Sequence, residues 1–410
     1  MNRMTSVSSD VWSRRDFVTA TGAAGLMAAA MPSFAQDAPQ RKIKLGIVGC
    51  GGRGRWLANL FRKHGGYDVF AVADYFEDRA AGAAGDGGIP RERCFTGLNC
   101  HKKLLEAKPE AVAIITPPYF HPQEVADSVD AGAHVYLAKP LAVDVPGCQS
   151  IEASGKRAAA KKLCFLADFQ TRAQPFYQEA IAKVHEGALG DIAFGEAYYH
   201  TGRIGAHHLS PDTGTAEARL RNWVFDKAFS GDIITEQNIH SLDVMNWVFR
   251  TPPLHAFGTG GRKSRVDVGD CWDHFALVFQ YPGNVGVTFS SRQFEGFGAD
   301  EGIVCRVFGS KGVLETNYGG NVMIRGGEGT FYRGGKTSAI YEEGAVANIA
   351  TFHDSILKGD VSNPTLAPSI QSNLITIMGR KAAYTGKLVT WEETLKDTER
   401  LDGKLDGLKI

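Results

Sequence analysis

Residues 43–54 read IKLGIVGCGGRG. The apolar run at 43–49, halted by glycine, has the pattern of a short strand buried on both faces of a parallel sheet. Gly49-x-Gly51-x-x-Gly54 follows it directly, and residues 53–64 suit a helix. In such a strand–loop–helix unit each glycine has its own reason. Gly49 permits the tight turn, Gly51 lets a pyrophosphate approach the backbone, and Gly54 lets helix and strand pack closely. The helix N-terminus then turns its unpaired N–H groups toward the phosphates. The loop Gly49, Cys50, Gly51, Gly52, Arg53 and Gly54 is therefore a candidate dinucleotide cradle. Asp74 ends the next apolar run, YDVFAVAD at 67–74, at the place where a carboxylate accepts hydrogen bonds from the adenosine ribose hydroxyls. Tyr75-Phe76-Glu77 follow with no arginine next to Asp74. A 2′-phosphate would meet negative charge there, so NAD is expected rather than NADP.

The alternation continues outward. EAVAIITPP at 110–118, AHVYLAKP at 133–140 and KLCFLADF at 162–169 read as further strands, and HPQEVADSVDAG at 121–132 as a helix closed by Gly132. Strands alternating with helices imply an α/β, doubly wound parallel sheet. Toward the N-terminus, Ser13-Arg14-Arg15-Asp16-Phe17 precedes an Ala/Gly-rich run at 18–31, and Ser33 and Ala35 are small residues two apart. This is the layout of a cleaved twin-arginine signal. The run is too short to be a stable membrane anchor. The expected division is a signal at 1–35, a dinucleotide-binding domain at 36–165 and a substrate domain at 166–410. The expected location is the periplasm, reached as a folded protein through the twin-arginine translocase. The 45 basic and 45 acidic side chains argue against a nucleic-acid partner or a polyanionic substrate. Seven cysteines at scattered spacings, with no CxxC, imply neither a zinc site nor a disulfide framework.

GIVGCGGRG, AVAD, AIITPPYFHP, LAKPLA and SGDIITEQNIHSLDVMNWV occur in this order. With them the chain resembles the Gfo/Idh/MocA family, the relatives of glucose–fructose oxidoreductase and inositol dehydrogenase, over nearly all of residues 36–410. The resemblance implies a Rossmann domain and then an α/β domain with an open, mostly antiparallel sheet, one face of which packs in homo-oligomers. It also implies a nicotinamide cofactor and a small sugar, polyol or derivative as substrate. Period-2 stretches at 192–200, 274–281, 284–291 and 302–309 suit such a sheet. SNLITIMGRKAAYTGKLVTW at 372–391 is similar to the family's closing helix and short extended tail. The lysine of the family's Glu-Lys-Pro motif aligns with Lys139, and its Asp-x-x-x-His pair with Glu236 and His240. The turn at Thr116 and Pro117 aligns with one near the nicotinamide ribose. Two positions depart from the family pattern: Ala138 stands where a glutamate is usual, and Glu236 where an aspartate is. Both departures bear on the substrate and on the proton's route.

Oxidising a secondary alcohol sends a hydride to the nicotinamide and a proton to a base. Lys139 follows a parallel strand, at the end where such sheets place ligands. Partial desolvation beside a cationic cofactor would lower its pKa. His240, with an ordinary pKa of about 6.5, is the other candidate base. Residues 236–248 read as one helix, which puts Glu236 and His240 at i, i+4 on one face. Asp243 is then placed to orient the imidazole, or to satisfy a plain core histidine. Gln170 and Arg172, just past a strand end, are candidate substrate contacts beside Glu236 and His240. His121 either caps its helix or touches the cofactor. HTGRIGAHHL at 200–209 reads as a polar substrate loop in preference to a metal site, because His207 and His208 point apart if extended and no carboxylate completes the set. Trp223 and Trp247 are candidates for stacking on a sugar or for packing.

An exported enzyme has no NAD pool to exchange with. The expectation is thus an NAD-dependent oxidoreductase of sugars, polyols or glycosides that holds and regenerates its own cofactor. The alternative is a redox-neutral glycoside hydrolase or lyase, in which oxidation, elimination, addition and reduction follow one another on bound NAD. A third reading, a non-catalytic NAD-containing sugar binder, leaves Lys139 and His240 without a purpose.

Overall fold

The computed structural model describes residues 41–205, 214–327 and 329–410, so the expected signal at 1–35 lies outside the described residues. Strands β1 (Ile43–Val48), β2 (Tyr67–Asp74), β3 (Cys94–Thr96), β4 (Ala111–Ile114), β5 (His134–Ala138) and β6 (Phe165–Asp168) make a parallel sheet in the order β3-β2-β1-β4-β5-β6. Five of these are the apolar runs read from the sequence; β3 is too short and too exposed to show as one. Helices cover both faces, which is why β4 is apolar throughout, and β1 apolar but for the exposed Lys44, and neither alternates. The order turns back between β1 and β4. That switch point opens a crevice at the C-terminal strand ends, beside the glycine loop.

The second sheet comprises β7 (Ile192–Thr201), β8 (His255–Gly261), β9 (His274–Tyr281), β10 (Val285–Gln293), β11 (Gly302–Gly309), β12 (Gly312–Asn317), β13 (Asn321–Gly326), β14 (Tyr332–Lys336) and β15 (Val389–Thr390). Its order is β14-β13-β12-β11-β7-β10-β9-β8-β15. Only the central β7–β10 pair is parallel; the rest are antiparallel. Alternation sorts its two faces. Phe275, Leu277, Phe279 and Tyr281 point into a core, while Phe194 and Phe257 stand about half exposed on the other face.

Helix Leu366–Thr385 joins the two halves. Ile370, Leu374 and Ile377 enter the parallel sheet's core, whereas Ile375, Met378 and Ala382 enter that of the second sheet. A helix buried on opposite sides carries apolar residues around most of its girth, as LITIM at 374–378 does. Its polar residues are pins. Asn373 Oδ1 accepts from Leu141 N–H at 2.8 Å and its Nδ2 donates to the Ala142 carbonyl at 2.9 Å. Arg380 donates to the carbonyls of Gly231 at 2.7 Å and Val143 at 2.8 Å. Ser372 donates to Asp243 at 2.6 Å. The loop after β5 and the segment around 231–243 are thereby fixed to one rod.

Candidate active site

The cradle is built as its spacing requires. Gly49 has φ +92°, and a Cβ there would lie 2.5 Å from the Ile115 backbone. A Cβ on Gly54 would lie 1.8 Å from the Gly49 carbonyl oxygen. Gly51 and Gly52 differ: no atom comes closer than 4.0 Å to a Cβ at Gly51, and none lies within 4 Å of one at Gly52. Their faces are open to a ligand. Helix Gly52–His64 has neither a side-chain cap nor an acid in its first turn, so its first N–H groups remain available to an anion. The Cys50 thiol is buried against the Ala73 carbonyl at 3.4 Å, so this side chain is not offered to a ligand. Asp74, nearly fully buried, accepts from Cys50 N–H at 2.7 Å and from Phe76 N–H at 2.9 Å, so it ties the loop to β2. Burial raises its pKa, while those two N–H groups work in the other direction. Gly49, Gly51, Asp74, Thr116 and Pro117 line one cleft. Open glycine faces, an uncapped helix start and a carboxylate at the ribose position fit a dinucleotide.

Arg79, Leu220 and Glu124 are among the residues of this cleft that the sequence did not announce. Arg79 lies in the first turn of helix Glu77–Gly87 and faces the same space, although no arginine is adjacent to Asp74 in sequence. Leu220 reaches the cleft from the second half of the chain. Glu124 is buried, accepts from the Thr116 hydroxyl, and has its pKa pushed up to about 8, chiefly by burial and further by Asp74. Its position three residues after His121, on the same helix face, was the available signal. A carboxyl that keeps its proton only when folded lowers stability as pH rises from its unfolded value of about 4.5 toward 8. Glu124→Gln is expected to raise stability by on the order of 2 kcal/mol at pH 7, with the gain vanishing near pH 4. Melting curves at the two pH values check this; an equal shift at both would contradict it.

His121 is fully buried at the start of helix His121–Asp130 and makes no cap. Its Nδ1 faces the Pro140 carbonyl at 3.0 Å and its Nε2 the Thr116 carbonyl at 2.8 Å. It braces the turn after β4 against the loop after β5, and it does not line the cleft.

Lys139 leaves the end of β5, and its Nζ donates to Glu236 Oε1 at 3.1 Å and to the Glu236 carbonyl at 2.5 Å. That second bond corrects the single helix expected over 236–248. A continuous helix would give the Glu236 carbonyl to the His240 N–H. Here the lysine takes it, and His240 N–H turns to the Gln237 carbonyl at 3.3 Å. The chain therefore forms two helices, Ile233–Glu236 and Ile239–Phe249.

His240 is buried, and its Nδ1 has no hydrogen-bond partner among the described residues. Burial, and then the positive charges of Lys139 and Arg53, push its pKa well below the ordinary histidine value. It is thus neutral and able to accept a proton at pH 7. Asp243 does not orient it. Arg172 grips Asp243 with Nε at 3.0 Å and Nη2 at 2.8 Å, and Ser372 donates to the same carboxylate. Asp243 is turned into the interior, and Arg172, stacked 5.1 Å over Trp247, is a structural partner and not a free substrate contact. Trp247 packs there, while Trp223 lines the dinucleotide cleft.

Arg53 leaves the cradle as well. Its Nη2 pairs with Asp168 Oδ2 at 2.6 Å, and its guanidinium sits 5.5 Å and 5.0 Å from the rings of Trp56 and Tyr341. Asn348 Nδ2 donates to the other Asp168 oxygen, Oδ1, at 2.8 Å, and Gln170 Nε2 donates to Oδ2 at 3.4 Å. Asp168 was missed even though it ends β6, where the rule that singles out Lys139 applies equally. Asn348 and Tyr318, whose ring centroid is 5.4 Å from that of His240, come from distant elements with no local signal. Ala138 is buried and brings no carboxylate to the centre.

In the proposed polar loop, His200 bonds Ser290 Oγ at 3.0 Å and Arg203 pairs with Asp267. His207 and His208 lie outside the described residues. Among the described residues no three His, Cys, Asp or Glu side chains are placed to hold a metal, and all seven cysteines are free.

Residues 43–166 match the oxidoreductase family with the NAD-binding Rossmann fold, and residues 177–315 match the GFO/IDH/MocA C-terminal domain. The chain is 26% identical over 292 residues to the myo-inositol dehydrogenase Hyg17 of Streptomyces leeuwenhoekii, covering 70% of this chain and 81% of that protein. It is 23% identical over 227 residues to a glycosyl hydrolase family 109 protein of Shewanella pealeana, about half (49%) of each. Its fold is similar to that of the aldose-aldose oxidoreductase of Caulobacter crescentus, with a TM-score of 0.69 at 19% identity over 85% of this chain and all of that one. A dinucleotide cradle at the switch point of one sheet and matches to both halves lead to one conclusion: the chain is an NAD-dependent oxidoreductase of the Gfo/Idh/MocA family.

Proposed function

We propose that this protein oxidises a secondary hydroxyl of a sugar, polyol or glycoside on NAD that it keeps bound, and that the hydride then passes to the carbonyl of a second sugar, which regenerates the NAD within the same cycle. One observation carries the reading: a neutral buried imidazole, His240, stands within the field of the Lys139–Glu236 pair at the end of β5. Bound NAD supplies the hydride acceptor, held by the Gly49–Gly54 loop, the first N–H groups of the helix and Asp74. His240 takes the hydroxyl proton at a ring nitrogen. Lys139 Nζ, oriented by Glu236, donates to the same oxygen and stabilises the negative charge growing on it. Arg53 and Asp168 neutralise each other beside this centre, which suits an uncharged substrate.

The glycosyl hydrolase family 109 relatives support a second reading, redox-neutral cleavage. Oxidation at C3 acidifies the C2 proton, its loss expels the C1 substituent, water adds across the double bond, and the returning hydride restores the C3 alcohol. Incubating the protein with glycosides in D2O separates the two. Cleavage by this route leaves deuterium at C2 of the released sugar. Oxidation without C2 exchange supports the oxidoreductase reading, and no reaction with any sugar, polyol or glycoside would defeat both.

We further propose export through the twin-arginine route, on Arg14, Arg15 and the run at 18–31. Arg14→Lys with Arg15→Lys should hold the precursor in the cytoplasm; equal periplasmic signal from both forms on an immunoblot would exclude the route. The half-exposed Phe194 and Phe257 on the uncovered sheet face support a homo-oligomer through that face, which a monomeric mass by light scattering would exclude.

A further inference from the structure

The adenosine end of the cleft is shut by pieces of chain that the redox chemistry does not use. Leu220 and Trp223, from the second half of the chain, face Phe76 and Arg79 across it. Helix Ala216–Arg221 is tied to that opposite wall three times. Arg221 donates from both terminal nitrogens to the two oxygens of Asp78, each at 3.0 Å. Its guanidinium lies 3.9 Å from the Phe76 ring centroid. Arg79 Nη2 donates to the Arg221 carbonyl at 3.3 Å.

Residues 401–410 bind both walls from outside. Leu401 N–H donates to Asp144 at 3.0 Å, and Arg219 donates to the Gly403 carbonyl at 3.1 Å. Leu98 N–H donates to the Lys409 carbonyl at 2.9 Å, and Lys409 N–H to the Tyr75 hydroxyl at 3.3 Å. Leu405 and Leu408 pack in a small apolar cluster with Phe76, Leu98, Phe120, Leu220 and Trp223, and these five also line the cleft. Gly97, at φ +91°, allows the close approach: a Cβ there would come 3.0 Å from the Ile410 backbone. The two walls cannot part without breaking these ties together. Each tie alone is weak, as exposed pairs are, but all of them resist the same opening motion.

We propose that helix Ala216–Arg221 and residues 401–410 form a clasp that closes over the adenosine half of NAD and retains it through turnover. This rests on the retained-cofactor reading above and assigns the retention to particular parts of the chain. The test loads the full chain with NAD, chases with isotopically heavy NAD, and follows exchange by mass spectrometry of the denatured protein, with melting curves alongside. Arg221→Ala removes a pair whose carboxylate is exposed and leaves the melting temperature within a few degrees, yet speeds exchange by about tenfold or more. Leu408→Ala speeds it as well. Asp78→Arg combined with Arg221→Asp restores slow exchange. If the wild type exchanges slowly and Arg221→Ala and Leu408→Ala exchange just as slowly, the clasp is wrong while retention stands. If the wild type exchanges freely within one turnover time, retention itself fails.

Discussion

Lys139→Ala and His240→Ala are each expected to lower turnover by about 10²–10⁴-fold, the usual contribution of a positioned acid or base, while bound NAD remains. The two variants are distinguishable by pH. Wild-type His240 has its pKa pushed below the ordinary histidine value by burial and by the charges of Lys139 and Arg53. The rise of activity with pH should therefore be complete below pH 6.5. Removing Lys139 takes away one of the charges that disfavour the imidazolium, so the residual activity of Lys139→Ala should rise at a higher pH than that of the wild type. His240→Ala should lose this limb altogether. Cofactor content stays near wild type in His240→Ala because the Gly49–Gly54 loop and Asp74 are untouched. Near wild-type turnover in both variants, or an unmoved limb in Lys139→Ala, would contradict the assignment.

Gly54→Ala should weaken NAD binding by about a hundredfold or more, roughly 3 kcal/mol, and should also lower the melting temperature. A Cβ 1.8 Å from the Gly49 carbonyl oxygen meets backbone, which cannot rotate away as a side chain could. The helix must slide off the loop, and its N–H groups lose their aim at the phosphates. Gly52→Ala provides the contrast. No atom lies within 4 Å of a Cβ there, so the variant should fold as stably as the wild type. The methyl group then stands in the space left for the pyrophosphate, and binding should still fall. Calorimetric titration with NAD and thermal melts measure both properties. Full NAD affinity in Gly52→Ala would move the phosphates away from this loop.

The dinucleotide half was legible in the sequence because its physics is local. A buried parallel strand must be apolar, a loop that meets backbone at Gly49 and Gly54 must be glycine, and both show within a dozen residues. The four long strands of the second sheet were legible through alternation, whereas β12–β14 run among Gly319, Gly320, Gly326, Gly334 and Gly335, which blur it. Lys139 and Glu236 do pair, and the charge of Lys139 reaches His240, but their geometry was not legible. The helix break at 237–238 follows from a lysine 97 residues away in sequence taking the Glu236 carbonyl. Nothing near Asp243 announces that Arg172 and Ser372 will claim its carboxylate and leave His240 without an orienting acid. Arg53 looked like part of the cradle, and it is Asp168, on the edge strand β6, that draws its side chain away.

The measurement that bears most directly on the central claim is the cofactor content of the purified protein together with its turnover in the absence of added NAD. Denatured protein should release NAD or NADH near one equivalent per chain. Product should form from a sugar, polyol or glycoside given together with a reducible sugar and with no cofactor supplied, and absorbance at the nicotinamide band should show no net accumulation of NADH. A protein that is isolated empty, and that turns over only when NAD is supplied while NADH builds up in step with product, would contradict the retained-cofactor account and leave a dehydrogenase that exchanges its cofactor in the ordinary way.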